Sequence, residues 1–184
     1  MPSVDQVNVS FNNLEADFMS DLVVNCDNPL DILTFTQFVE ATIAPEMKGY
    51  QETAKKAQTT FQERVEKLAE EYLQKDDKGQ YVHGADGNPV PQEGKEEDWK
   101  NLYTGAQTEF KDALNKAGNA VVVYKVDSEL FHRFADMFLR TSVNTFISLQ
   151  KSPEEVNRAF LMIYLIAKRI TDAKTQTKGN SKKS

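Results

Sequence analysis

Two apolar stripes of helical spacing, mirrored about a glycine- and proline-rich centre, constrain this chain more than any other feature. In the first, Tyr50, Ala54, Ala57, Phe61, Val65, Leu68 and Tyr72 follow one another at intervals of three or four residues. In the second, Trp99, Tyr103, Ala106, Phe110, Leu114 and Ala117 do the same. Residues three and four apart share one face of an α-helix, which turns once every 3.6 residues. Written antiparallel, six pairs fall into one register: Tyr72 with Trp99, Leu68 with Tyr103, Val65 with Ala106, Phe61 with Phe110, Ala57 with Leu114 and Ala54 with Ala117. The residue numbers of every pair add to 171, as a helical hairpin of fixed register requires. The first stripe repeats over eleven residues and not over seven, which favours a nearly straight or slightly right-handed pairing. Small residues at the base let the backbones approach there, and aromatic residues thicken the distal end.

The connection, KDDKGQYVHGADGNPVPQEGKEED, is dense in turn residues. Asp86-Gly87 is a strong turn dipeptide, so the reading is a small β-hairpin between Tyr81-Val82 and Pro89-Val90. Pro89 and Pro91 stop that ribbon from growing, since proline cannot donate to a ladder. Residues 46–117 are therefore expected to form a helical hairpin with a β-turn tip, read as a protruding arm, the alternative being a helix pair within an ordinary bundle.

The remainder reads as a helical body, residues 1–45 and 118–175, with a disordered basic tail over 176–184. Val7, Val9 and Phe11 alternate with polar residues and form a short strand. Its obvious mate is AVVVYKV, residues 120–126, because a lone strand leaves backbone groups unpaired and must pair here or with a partner chain. Asn13 precedes a short helix with the row Leu14, Phe18 and Leu22. Asn28-Pro29 starts another, with asparagine as cap and proline in the first turn. That helix carries Leu30, Leu33, Phe38 and Ile43, and Pro45 ends or kinks it. The helix after Asp127 carries Leu130, Phe131, Phe134, Met137, Phe138, Phe146 and Ile147. Ser152-Pro153-Glu154-Glu155 opens the last helix with a capping box; that helix carries Val156, Phe160, Ile163, Tyr164 and Ala167, and these last two helices form the body's core or an oligomer interface. No internal repeat stands out. The fold class is mainly α: a helical body, a long antiparallel helical hairpin and a small two-stranded β element.

Composition narrows the function classes. The formal net charge is −6, which disfavours bare nucleic acid as the main ligand, except through the basic tail. Cys26 is the one cysteine, so an intrachain disulfide framework is excluded; a small buried thiol is its expected role. The N-terminus lacks the basic and apolar regions of a signal peptide. The longest apolar run, AFLMIYLIA, falls well short of the roughly 20 residues that span a bilayer, and reads as a buried helix. No membrane partner is expected.

No catalytic, cofactor or metal site is expected. Asp76-Asp77-Lys78-Gly79 lacks the acidic alternation of an EF-hand, and His83 has no set of partners with metal-ligand spacing. His132 and Asp136, one helical turn apart, read as a surface pair. No glycine-rich phosphate loop, HExxH or GxSxG occurs, so the expectation is that the protein is not an enzyme. Charge is instead segregated. Residues 1–98 hold 20 acids and 8 bases, and residues 99–184 hold 8 acids and 14 bases. Residues 70–98 alone hold nine acids and three bases. Solvated surface is one reading of this layout; the other is a heterologous contact, the acidic tip of one chain on the basic body of the next. The partner-binding candidates are Tyr81, His83, Asp86, Glu93, Glu96, Glu97 and Asp98.

The run FQERVEKLAEEYLQKDDKGQYVHGADGNPVPQEGKEEDWKNLYTGAQTEFKDALNK, followed by AVVVYKV, resembles short helical-hairpin proteins encoded in bacteriophage structural and tail modules. The resemblance spans residues 37–134 and rests on a helix, a Lys-Asp-rich turn with an Asp-Gly-Asn-Pro element, a returning acidic helix and a valine-rich strand. The N-terminal segment and the last two helices depart from that pattern. The resemblance implies a non-enzymatic virion or assembly component, located in the virion or the host cytoplasm, whose partners are other protein subunits in a homo-oligomer or larger assembly. The alternative expectation is an inhibitor whose acidic arm blocks a host nucleic-acid-binding or defence protein.

Overall fold

The computed structural model describes residues 5–22, 28–141 and 152–180. The elements are β1 (Gln6–Asn12), α1 (Asn13–Asp21), α2 (Pro29–Phe38), a π-helical segment (Val39–Ile43), α3 (Ala44–Tyr72), α4 (Glu96–Gly118), β2 (Val121–Asp127), α5 (Ser128–Arg140) and α6 (Pro153–Asn180). The protein is mainly α with one small two-stranded antiparallel sheet. The chain divides into two compact units, one formed by residues 1–50 and 118–184, the other by residues 51–117.

In the first unit, β1 and β2 pair antiparallel from Gln6 opposite Asp127 to Asn12 opposite Val121. The alternation of β1 turns Val7, Val9 and Phe11 inward, onto Tyr124 and Val126 of β2, with the Phe11 and Tyr124 rings 5.8 Å apart. Asp127 ends the strand and caps α5, its carboxylate accepting from the amide of Leu130 at 2.9 Å. The centre of the core is aromatic. Phe38 stacks on Phe134 with ring centroids 3.6 Å apart, and Phe35 and Phe138 flank them at 6.1 and 5.6 Å from Phe134. Ile163, Ile166 and Ile170 of α6 join the same core.

Several expected faces differ from those observed. Asn12 caps α1, and that helix buries Glu15, Ala16 and Met19, leaving Leu14, Phe18 and Leu22 at the margin. Asn28 does cap α2, accepting from Leu30 at 3.1 Å. Yet Phe35 and Phe38 form its buried stripe, while Leu30 and Leu33 lie open to solvent. Pro45 neither ends nor sharply breaks the chain's helical path. The preceding turn widens into a π-helical segment, in which the amide of Ala44 donates to the carbonyl of Val39, and α3 starts with proline in its first turn, where a missing amide costs nothing. On α6 the buried row is Ala159, Met162, Ile163, Ile166, Ile170 and Ala173. Phe160 and Tyr164, expected in the core or at an interface, are exposed. In a run apolar on every side, periodicity alone does not choose the face. The helical backbone continues to Asn180, past the start of the expected tail, because each added residue of a helix gains a hydrogen bond. Cys26, Phe146 and Ile147 lie outside the described residues.

Among the buried polar groups, Glu15 and Tyr124 are the most completely enclosed. The Glu15 carboxylate closes the capping box of α1, taking the Asn12 amide at 2.8 Å, and faces the Arg169 guanidinium of α6 at 3.5 Å. The Tyr124 hydroxyl is buried without a hydrogen-bond partner among the described residues. Burial pushes the Tyr124 phenol up to about 12, and the nearby Glu46 carboxylate adds to the effect. A phenol whose folded pKa is raised favours the neutral form in the folded state. Its contribution is complete below the unfolded value near 10 and is lost as pH rises towards about 12. Tyr124→Phe is therefore expected to stabilise the protein by about 1 kcal/mol at neutral pH, by removing an unsatisfied buried hydroxyl. It should also flatten the loss of thermal stability between those two pH values. A parallel decline in parent and variant would contradict this.

Candidate functional site

The second unit is the helical hairpin, and its tip is more ordered than a single β-turn. Leu73 bridges Pro91, Lys75 bridges Tyr81 and His83 bridges Pro89. At the centre, the Gln74 amide donates to the Val90 carbonyl, Val90 donates to Val82, and Val82 donates back to Gln74, all at 2.9–3.0 Å. These three backbone groups close a ring. The residues stand eight apart, and so do the three turns outside them, which are closed by Gly79 onto Asp76, Gly87 onto Gly84 and Lys95 onto Gln92. An internal repeat thus exists where none was expected from the residues. It is a repeat of backbone conformation, marked in sequence only by valine at Val82 and Val90 and glycine at Gly79 and Gly87. Those two glycines, like Gly94, have φ near +78°, a region that costs glycine nothing.

Side chains complete the ladder. Pro91 has no amide hydrogen, but its carbonyl accepts from the Gln74 side chain at 2.9 Å, and the Gln92 side chain donates to the Leu73 carbonyl at 3.1 Å. Lys95 reaches across to the Glu71 carbonyl at 2.8 Å, tying the start of the return helix to the end of α3. Glu70 accepts from both Lys75, at 2.6 Å, and the Tyr81 hydroxyl, at 2.9 Å. The hydrogen bond from Lys75 holds the Glu70 carboxyl below its ordinary range. Desolvation, followed by the hydrogen bond to Glu70, raises the Tyr81 phenol.

The expected partner-binding residues therefore fall into two groups. Tyr81 and Asp86 are engaged within the tip. Tyr81 is held by Glu70 and lies under the Lys75 ammonium at 5.0 Å. Asp86 accepts from the Asn88 side chain and amide at 2.8 and 3.0 Å, which keeps its carboxyl below the usual range. His83 is exposed, with Nδ1 3.0 Å from the Tyr81 carbonyl. Glu93, in the third turn, and Glu96, Glu97 and Asp98, in the first turn of α4, are exposed. That acidic first turn suits the positive end of the helix dipole. His132 and Asp136 share a helix, but Asp136 accepts from Lys174, and that bond holds its carboxyl below the ordinary range. Among the described residues, no cluster of histidine, cysteine or carboxylate side chains could hold a metal ion. No described helix is long and apolar enough to cross a membrane.

A groove on the hairpin was not anticipated. It has a volume of about 360 Å³ and is floored by Phe61 and Phe110, whose rings stack with centroids 5.0 Å apart. Ala57, Ala106 and Ala113 widen it, and the ion pair of Arg64 with Glu109 bridges the two helices at its edge. Phe61 on Phe110 is one of the six register pairs. Elsewhere on the first unit, Leu30 and Leu33 of α2 and Phe160, Leu161 and Tyr164 of α6 leave apolar surface open. Helix periodicity points to a seam but not to how much of it a second helix covers, so the groove had no signal of its own. In comparisons with known proteins, the chain matches no family model, no curated sequence and no solved structure.

Proposed function

We propose that this is a non-enzymatic protein–protein interaction and assembly protein, with a bacteriophage virion or assembly component as its sharpest form. The observation that carries the reading is the poorly covered seam of the hairpin. Over residues 51–117 only Ala69, Leu73 and Ala106 are buried apolar residues. Phe61, Val65, Leu68, Tyr72, Trp99, Tyr103, Phe110 and Leu114 are only partly buried. Sustained, half-covered apolar surface of this kind marks interaction sites on soluble proteins. The virion form is supported by the resemblance of residues 37–134 to proteins of phage structural modules, and it would place the protein in the virion or the host cytoplasm. A second reading, an inhibitor of a host protein, is favoured by the exposed Glu93, Glu96, Glu97 and Asp98 beside one another at the tip.

Native mass measurement of the purified protein, alone and after incubation with host extract, separates the two. Defined oligomers of this chain alone support assembly. A monomer that captures one host protein, and loses it when those four acids are reversed, supports inhibition. A monomer with no partner in either setting overturns both.

A further inference from the structure

The geometry points to a second copy of this chain as the occupant of the Phe61–Phe110 groove, its hairpin lying antiparallel on the first about a twofold axis. This names the partner and surface of the assembly function proposed above and rests on that reading. Three observations support it. The first is shape. The groove occupies the basal half of the hairpin, where its walls include Thr53, Ala57, Thr60, Ala106 and Ala113. Residues four and seven positions apart share a helix face, so the stripe through Ala106 and Glu109 continues distally to Leu102. Leu102 is 37% exposed, and on the same stretch of helix the larger Trp99 and Tyr103 stack with ring centroids 5.3 Å apart. One hairpin therefore presents a hollow at its base and bulk at its distal end on one face. Turned end for end, a second copy fills the hollow with the bulk, twice over.

The second observation is charge. The distal half, residues 68–104, holds nine acids and four bases, whereas the basal residues, 51–67 and 105–117, hold five acids and six bases. Antiparallel pairing sets each acidic end on a weakly basic one. Parallel pairing sets the two acidic ends together, which like-charge repulsion disfavours. The third is extent. A helix the length of α4 (Glu96–Gly118) runs to about 35 Å at 1.5 Å per residue. A two-helix face of that length covers on the order of 700 Å² per copy, near the roughly 800 Å² per partner of a stable interface. Such an isologous contact closes on itself and gives a dimer.

Two full-length proteins test this, both carrying Cys26→Ser, one with Thr60→Cys and the other with Leu102→Cys. Mixed under mild oxidation, they should form the mixed disulfide at least about tenfold faster than either forms its own. Leu102→Glu and Ala113→Arg, both at exposed positions, should keep the parent's circular dichroism and weaken dimerisation at least about tenfold by sedimentation. Dimers that crosslink Thr60→Cys to itself and Leu102→Cys to itself would overturn the antiparallel arrangement. Oligomers indifferent to Leu102→Glu and Ala113→Arg would place assembly elsewhere, and the function proposed above would stand without this inference. A monomer at tens of micromolar that captures no partner would overturn both.

Discussion

Phe134→Ala is expected to cost about 3–5 kcal/mol of folding free energy, the usual range for emptying a fully buried phenylalanine site. The ring is 0% exposed and touches Phe35, Phe38 and Phe138, so its loss leaves a cavity between α2 and α5 that no single neighbour can fill. Against a total stability of about 5–15 kcal/mol for an ordinary domain, this should lower the melting temperature by roughly 10 °C or more. Phe160→Ala is the contrasting case. Phe160 is 47% exposed, so truncation removes about 1 kcal/mol or less of burial. Chemical denaturation of the two variants checks the assignment. Equal losses would mean that α6 turns a different face to the core.

The second large effect is expected at the buried carboxylate. Glu15 is 1% exposed, while its partner Arg169 is 39% exposed. Arg169→Met removes the counter-charge and leaves the carboxylate with the capping interactions of Asn12 alone. Breaking a buried pair from one side costs about 3–5 kcal/mol, and the partial exposure of Arg169 and its 3.5 Å separation reduce this to about 2–3 kcal/mol. Adding Glu15→Gln to that variant discharges the stranded group and keeps an acceptor for the Asn12 amide. The double variant should recover at least half of the loss, and the cycle of four proteins measures the coupling directly. Additive losses would show that the pair contributes only packing. The pair links α1 to α6, near opposite ends of the chain, so its disruption should also loosen the N-terminal strand. Faster hydrogen exchange at Val7 and Val9 would report that.

Local chemistry in the sequence determined where elements begin and what kind they are. Asn28-Pro29 and Ser152-Pro153-Glu154-Glu155 act at the helix starts where they were expected. A cap depends on residues within one turn of each other, so no tertiary information is needed. The need for a β1–β2 type of pairing was legible, since a short strand must find a mate to satisfy its backbone, and the structure places that mate within the chain. Six spaced apolar pairs proposed a register for the hairpin, and one of them, Phe61 with Phe110, is seen as stacked rings.

Tertiary structure alone decided which face each apolar helix buries. Leu30, Leu33, Phe160 and Tyr164 are as hydrophobic as the residues that did enter the core, and the choice fell to the shapes of neighbouring elements. It also decided the tip, where the ring of amides from Gln74, Val82 and Val90 depends on backbone hydrogen bonds that residue identity barely marks. The candidate site divides in the same way. The acidic residues Glu93, Glu96, Glu97 and Asp98 could be read from composition, because charge is a property of each residue. The Phe61–Phe110 groove could not, because a hollow exists only once two helices have met and left a space that neither fills.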